Sequence, residues 1–305
     1  MKKICLLVPC YNEGLTIGRV VSDFRKACPQ MEIYVYDNNS TDDTSEQALR
    51  AGATVVREPR QGKGNVVRSM FRDVDADLYV IVDGDDTYPA AQLHEMLRPA
   101  LEEGADMVIG DRLSNGSYYE ENRRNFHSLG NNLVRRAVNR FFYTNLADIM
   151  TGYRVLSRRF VKNFPVLSEG FQLETEMTIF ALRNHFRIAE VPITFTERPE
   201  GSFSKLSTVK DGVKVLLCIL NMYRHNRPLA FFSWIALVLA LTAVAIGIPV
   251  VWEYFRFHYV YKVPSAVLAS GIFGIAVMVF LCGLILDTIS HNARSQFERQ
   301  LKHNE

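Results

Sequence analysis

Neither of the glycine-rich fingerprints common in nucleotide-binding folds occurs in this chain. No GxGxxG follows the first apolar run, and no GxxxxGK[ST] is present anywhere. A dinucleotide site and a P-loop are therefore unsupported. Cysteine is scarce: Cys5, Cys10, Cys28, Cys218 and Cys282 make an odd count of 5 without a CxxC spacing, which argues for reduced thiols and against a zinc site. The net charge is only +2, too small to predict a nucleic-acid partner. Met1-Lys2-Lys3 leads directly into a strand pattern rather than the apolar core of a signal peptide, so no secretory leader is expected. Internal repeats and low-complexity segments are also missing, leaving 305 residues for one large or two ordinary domains.

Charge is absent from two long stretches in the C-terminal third. Ala230–Val251 and Val263–Leu286 hold no Asp, Glu, Lys or Arg, and each can cross the roughly 30 Å hydrocarbon layer as a helix. Buried core helices are the competing explanation. Two uninterrupted runs this close together, with Trp234 in the first and Trp252 just beyond it, favour a membrane anchor. Lys210, Lys214, Arg224 and Arg227 precede the first run, and Arg294, Arg299 and Lys302 follow the second. The intervening loop carries only Arg256 and Lys262 among aromatic residues. This bias predicts an inner-membrane protein with both termini and the soluble part in the cytoplasm. The expected layout is an amphipathic juxtamembrane helix (207–228), spans at 229–252 and 263–287, and a tail at 288–305. The spans serve as an anchor or as a homo-oligomer interface.

The residues before them alternate short apolar runs with amphipathic stretches. Strands are expected at Lys3–Val8, Ile33–Tyr36, Thr54–Val56, the run ending at Val82, and Met107–Ile109. Helices are expected at Leu15–Ala27, from the Ser40–Thr44 cap region to Arg50, at Asn65–Arg72 and at Pro89–Glu102, with Pro89 as the first helical residue. Such alternation predicts an α/β fold with a doubly wound, mainly parallel sheet. Ligands of such sheets lie beyond the C-terminal strand ends. The run Tyr79–Val82 ends there in Asp83-Gly84-Asp85-Asp86-Thr87. Asp83 and Asp85 alternate to the same side with Gly84 between them, a set of hard oxygens suited to Mg²⁺ or Mn²⁺ that clamps a diphosphate. A solvated acidic turn capped by Asp86 or Thr87 explains the same stretch. Asp37 either holds a ribose or base edge or closes a capping turn, and Gly62-Lys63-Gly64 either cradles a phosphate or is an ordinary loop.

Taken together, Val8-Pro9-Cys10-Tyr11-Asn12-Glu13, Asp37–Thr44, Gly62-Lys63-Gly64 and Asp83-Gly84-Asp85 resemble, in order and spacing, the family-2 glycosyltransferases with the GT-A fold. More narrowly, the chain is similar to the polyprenyl-phosphate glycosyltransferases, such as the dolichol-phosphate mannose synthases. The resemblance implies that Pro9, Tyr11, Glu13, Asp37, Gly62, Lys63, Gly84 and Arg112 line a nucleotide-sugar site in residues 1–112. It also implies that Asp83 and Asp85 address the metal and the diphosphate. Some relatives place a Gln two residues beyond the second Asp. Thr87 stands at that position, so Asp86 or water would complete the metal shell.

Residues 113–206 then form the acceptor half. A basic amphipathic helix from Arg123 to about Tyr143 carries Arg124 and Ser128 one turn apart, and in the resembled family an Arg and a Ser so spaced bind the lipid phosphate. Asp148-Ile149-Met150-Thr151-Gly152-Tyr153-Arg154 resembles the family's D-x-x-[ST]-G-[FY]-R segment. Asp148 would orient donor or acceptor there, and Arg154 would be a site residue or a structural ion pair. Glu174 and Glu176 either contact substrate or charge a helix start. Arg198 and Lys205 lie in a loop that resembles one closing over the leaving group. The implied reaction is an inverting, metal-dependent sugar transfer from a nucleotide sugar to a polyprenyl phosphate. Asp85, Asp83, Arg198 and Asp148 form its centre, and Arg124, Ser128, Arg198 and Lys205 hold the acceptor phosphate. A UDP-sugar is favoured as donor, with GDP-mannose as an alternative. A processive synthase would bring a QxxRW motif, which is missing. A non-catalytic nucleotide-sugar scaffold fits poorly with intact Asp83, Asp85, Arg198 and Lys205. A nucleotidyltransferase leaves the Arg124/Ser128 helix and the two spans unexplained.

Overall fold

The computed structural model describes residues 2–114, 125–167, 173–196, 220–221, 223–225 and 227–304. The chain divides into two compact units, Met1–Val215 and Leu216–Glu305.

The first unit is the expected α/β fold. Its elements are β1 (Ile4–Cys10), α1 (Gly14–Ala27), β2 (Glu32–Asp37), α2 (Thr44–Arg50), β3 (Thr54–Arg57), α3 (Lys63–Asp73), β4 (Leu78–Ile81), α4 (Leu93–Glu102), β5 (Met107–Asp111), α5 (Asn125–Phe142), β6 (Arg154–Ser157), α6 (Arg158–Asn163), α7 (Leu173–Arg183) and β7 (Ile188–Pro192). The strands form one sheet in the order β3-β2-β1-β4-β6-β5-β7. All neighbours are parallel except β6, which runs antiparallel to both β4 and β5. β4 and β5 are buried along their whole length and β1 nearly so, as continuous apolar strands covered on both faces must be. Ile17, Val20, Val21 and Phe24 of α1 pack into the same core as Leu93, Met96, Leu97 and Ala100 of α4.

Connections from β1 lead to β2 on one side and those from β3 lead to β4 on the other, so the order reverses at the β1/β4 boundary. That reversal opens a crevice beyond the C-terminal ends of β1, β2 and β4. Pro9 is accommodated there without breaking the ladder. β1 pairs with β4 only over Ile4–Leu7, with one further bond from Val82 N–H to Leu7 O, so the missing N–H of Pro9 falls where β4 has already ended.

Two local expectations are corrected. Pro89 does not start the helix: it is extended (φ −74°, ψ 120°), a 3₁₀ turn spans Ala90–Gln92, and α4 begins at Leu93. The cause is Tyr88, whose hydroxyl accepts the Gly152 N–H and whose ring packs on Tyr153 and Phe195, which holds the chain straight past the turn. The second correction concerns Arg154, which opens the antiparallel strand β6. It makes no ion pair with a carboxylate among the described contacts. Its guanidinium, almost fully buried, donates instead to Thr151 O, Ile149 O and Thr178 Oγ1. Burial lowers its pKa to about 10, still far above neutrality.

The second unit contains α8 (Pro228–Phe257) and α9 (Val263–Asn304), both long and apolar enough to cross a membrane. On α8 only Pro228, Ala236, Ala243 and Val250 are buried, whereas Leu237, Val238, Leu241, Val244 and Ile248 are exposed. A helix in a soluble core would show the reverse. Gly283 of α9 lies where a Cβ would come within 2.8 Å of Phe232 Cβ, so glycine there lets the two helices approach. Most of the predicted juxtamembrane helix, 207–219, lies outside the described residues.

Arg154→Met keeps the volume but strands two buried carbonyls, at a cost of about 2–4 kcal/mol. Thermal unfolding of the detergent-solubilised protein is expected to shift down by roughly 5–10 °C. An unchanged midpoint would show that those carbonyls do not depend on Arg154.

Candidate active site

Strand β4 delivers Asp83-Gly84-Asp85 into the crevice. Asp85 is buried, and its Oδ1 accepts a 2.6 Å hydrogen bond from the Thr87 hydroxyl. Thr87 thus orients Asp85. Asp86 takes a left-handed conformation (φ 61°) and pairs with Arg19 of α1 at 3.1 Å. The Thr16 hydroxyl donates to Gly84 O at 2.6 Å and ties this loop to α1. Gly84 is required by close packing: a Cβ would come within 2.3 Å of Glu13 Oε2 and 2.6 Å of Cys10 Sγ. Glu13 therefore lies directly against the acidic loop. Burial, together with the charge and hydrogen bond of Glu13, pushes the Cys10 thiol well above its ordinary range.

Lys63 meets this loop from the first turn of α3. Its ammonium lies 2.5 Å from Asp83 Oδ1 and 2.7 Å from Glu174 Oε1 of α7. Burial alone lowers the ammonium pKa, but the two carboxylates outweigh burial and hold it above its ordinary value. Glu174, one of two open candidates, therefore joins the centre, whereas Glu176 accepts the Leu167 N–H at 3.1 Å. Lys63 is aimed by a device that the sequence reading did not single out. Asn38 donates to Glu58 O and Arg60 O and accepts the Gly62 N–H at 2.7 Å. This pins the loop with Gly62 at φ 127°, a conformation that favours glycine. Asp37 spends its oxygens locally, accepting from Ser40 N at 2.9 Å and Ser45 Oγ at 2.6 Å. That geometry fits a capping turn at the crevice rim. Tyr11, half-buried, closes the end of β1.

A second ion pair borders the loop. Arg112 Nε and Nη2 reach Asp148 Oδ2 and Oδ1 at 2.7 and 3.2 Å, with the Asp148 side chain wholly buried. Glu190 of β7 accepts the N–H groups of Ala147 and Asp148 and fixes that turn in place. Asp148 consequently addresses Arg112 rather than open space. Gly152 brings this segment to the centre, since a Cβ there would lie 2.4 Å from Asp83 Oδ2. Arg124, Arg198 and Lys205 lie outside the described residues, as does the side chain of Ser128, whose backbone belongs to α5.

Among the described residues no three His, Cys, Asp or Glu side chains form a metal-binding group. Asp83 and Asp85 offer hard oxygens from one short loop. Such a pair suits Mg²⁺ or Mn²⁺, which keep waters and take phosphate oxygens from a substrate rather than a full protein cage.

The sequence pattern of glycosyl transferase family 2 matches residues 5–164. The glycosyltransferase AglJ of Haloferax volcanii is 34% identical over 301 residues, covering 97% of this chain and 96% of that protein. The dolichyl-phosphate hexose transferase of the same organism is 30% identical over 224 residues, 73% of this chain and 95% of that protein. Among solved structures, glucosyl-3-phosphoglycerate synthase of Mycobacterium tuberculosis, in complex with Mn²⁺, UDP and glucosyl-3-phosphoglycerate, superposes with a TM-score of 0.59 at 21% identity. The match covers 72% of this chain and 80% of that one. This likeness confirms the GT-A-type architecture.

Gly152→Ala forces Asp83 off its place beside Lys63 without disturbing the core. Glycosyl transfer is expected to fall about tenfold or more, with the thermal midpoint nearly unchanged. Wild-type transfer rates in this variant would show that the position of Asp83 is not critical.

Proposed function

This chain belongs to glycosyl transferase family 2, and we propose that it transfers a hexosyl or N-acetylhexosaminyl group from a nucleotide sugar to a polyprenyl monophosphate at the cytoplasmic face of a membrane. The observation that carries this reading is the meeting of Asp83, Asp85 and Lys63 at the parallel strand ends, in a chain that also has two membrane-length helices. The name of the dolichyl-phosphate hexose transferase supports the acceptor class.

In this mechanism an acceptor phosphate oxygen attacks the anomeric carbon from the face opposite the leaving group. The new C–O bond forms as the bond to the β-phosphate oxygen breaks, and the nucleoside diphosphate departs with the electron pair, so the anomeric configuration inverts. Asp85 and Asp83 would hold Mg²⁺ or Mn²⁺, which supplies Lewis-acid neutralisation of the leaving diphosphate. Lys63 and Arg112 add positive charge, the latter aimed by Asp148. The acceptor needs no dedicated general base, because a phosphate monoester has a second pKa of about 6 and is largely ionised at neutral pH. Positioning then dominates, through Arg124, Ser128, Arg198 and Lys205. Pro9, Tyr11, Glu13, Asp37, Gly62 and Gly84 form the walls of the donor site, with a UDP-sugar favoured over GDP-mannose. The flanking basic residues support two spans with both termini cytoplasmic.

Membranes containing the protein, supplied with Mg²⁺ or Mn²⁺, polyprenyl phosphate and a panel of labelled nucleotide sugars, should yield a mild-acid-labile glycolipid from one donor. EDTA and Asp85→Ala should each reduce it to background. A growing polymer or sugar on a different lipid would overturn the acceptor assignment, and full activity of Asp85→Ala would remove the metal role.

A further inference from the structure

Lys63 has two partners of different kinds. Asp83 belongs to the acidic loop, whereas Glu174 stands on α7, and the ammonium reaches both at 2.5 and 2.7 Å. Only 15% of the Lys63 side chain and 8% of the Glu174 side chain are exposed, so both sit in a poorly solvated place where like charges repel strongly. A divalent cation using Asp83 meets that ammonium already seated on Oδ1. It must either take the other oxygen, Oδ2 on the Gly152 side, at short range from the ammonium, or displace the ammonium from Oδ1. Glu174 makes displacement feasible, because an ammonium that releases Asp83 still has a buried counter-charge. An arriving diphosphate offers that flexible point charge new acceptor oxygens and brings the negative charge that two neighbouring cations require.

We propose that Lys63 is a built-in competitor of the divalent cation for Asp83, so that tight cation binding waits for the nucleoside diphosphate. This rests on the metal and donor reading above. It goes further in assigning an order, nucleotide before or together with metal, to a residue otherwise expected only to contact phosphate. Such an order keeps the carboxylates from holding a cation without substrate.

The test uses the full-length protein in detergent and follows free Mn²⁺ by electron paramagnetic resonance, with and without UDP. For the wild type, UDP should tighten Mn²⁺ binding by about two orders of magnitude, with only weak binding of Mn²⁺ alone. Lys63→Met should bind Mn²⁺ alone about tenfold or more tightly than the wild type does. Lys63→Gln, which keeps a donor to both carboxylates but no charge, should move the same way and stands in if the Met variant fails to fold. Asp85→Asn separates loss of the metal site from loss of the competition. Loss of Mn²⁺ binding in Asp85→Asn, with wild-type Mn²⁺ binding in both Lys63 variants, would overturn the competition alone. Wild-type Mn²⁺ binding in Asp85→Asn would overturn the metal assignment itself. Equally tight Mn²⁺ binding by the wild type with and without UDP would also refute the proposal, with no variant needed.

Discussion

A carboxylate delivered to the end of a buried strand requires a counter-charge, and the Lys63 ammonium between Asp83 and Glu174 supplies it. This contact joins three parts of the first unit: the start of α3, the loop after β4 and the start of α7. Each is positioned by something that the others do not provide. The β4 loop comes from the parallel ladder with β1, Lys63 comes from a loop pinned by Asn38, and Glu174 comes from a helix that packs Leu173 and Met177 into the core. The centre exists because these three solutions coincide.

Arg112 extends the same logic. Its mostly buried guanidinium, packed over the Phe195 ring, takes its counter-charge from Asp148, and Asp148 would be an unpaired buried charge without Arg112. Glu190 holds the turn that presents Asp148 by accepting two backbone N–H groups. Burial raises the pKa of Glu190 and those hydrogen bonds lower it again, with burial the larger influence. The crevice is thus bordered by two cations, Lys63 between Asp83 and Glu174 and Arg112 on Asp148. In the proposed transfer, that positive charge faces the departing diphosphate.

The layered fold was legible because β1, β4 and β5 are continuous apolar runs and α1 and α4 carry clear apolar stripes. Asp83, Asp85 and Lys63 were legible as acid and base at strand ends and a helix start. Other features depend on contacts between distant segments and leave no local pattern. Four residues beginning with arginine do not suggest a strand, yet β6 pairs with both β4 and β5 while the Arg154 guanidinium finds carbonyls inside the core. Glu174 and Glu176 are indistinguishable in a helix start until the fold turns one to Lys63 and the other to Leu167. Asp148 looked able to meet a ligand, and its burial on Arg112 could be known only from the structure. Asn38 was hidden in a run of cap residues, and Gly152 in a motif whose other members drew more attention.

The proposed activity requires that the strand-end carboxylates take a nucleoside diphosphate through a cation. Calorimetric titration of UDP and GDP into the purified protein, with Mg²⁺ and again with EDTA, measures this directly. One of the two nucleotides should bind with Mg²⁺ and lose its affinity by roughly two orders of magnitude in EDTA. Binding of equal strength in EDTA, or no binding of either nucleotide with Mg²⁺ present, would contradict it.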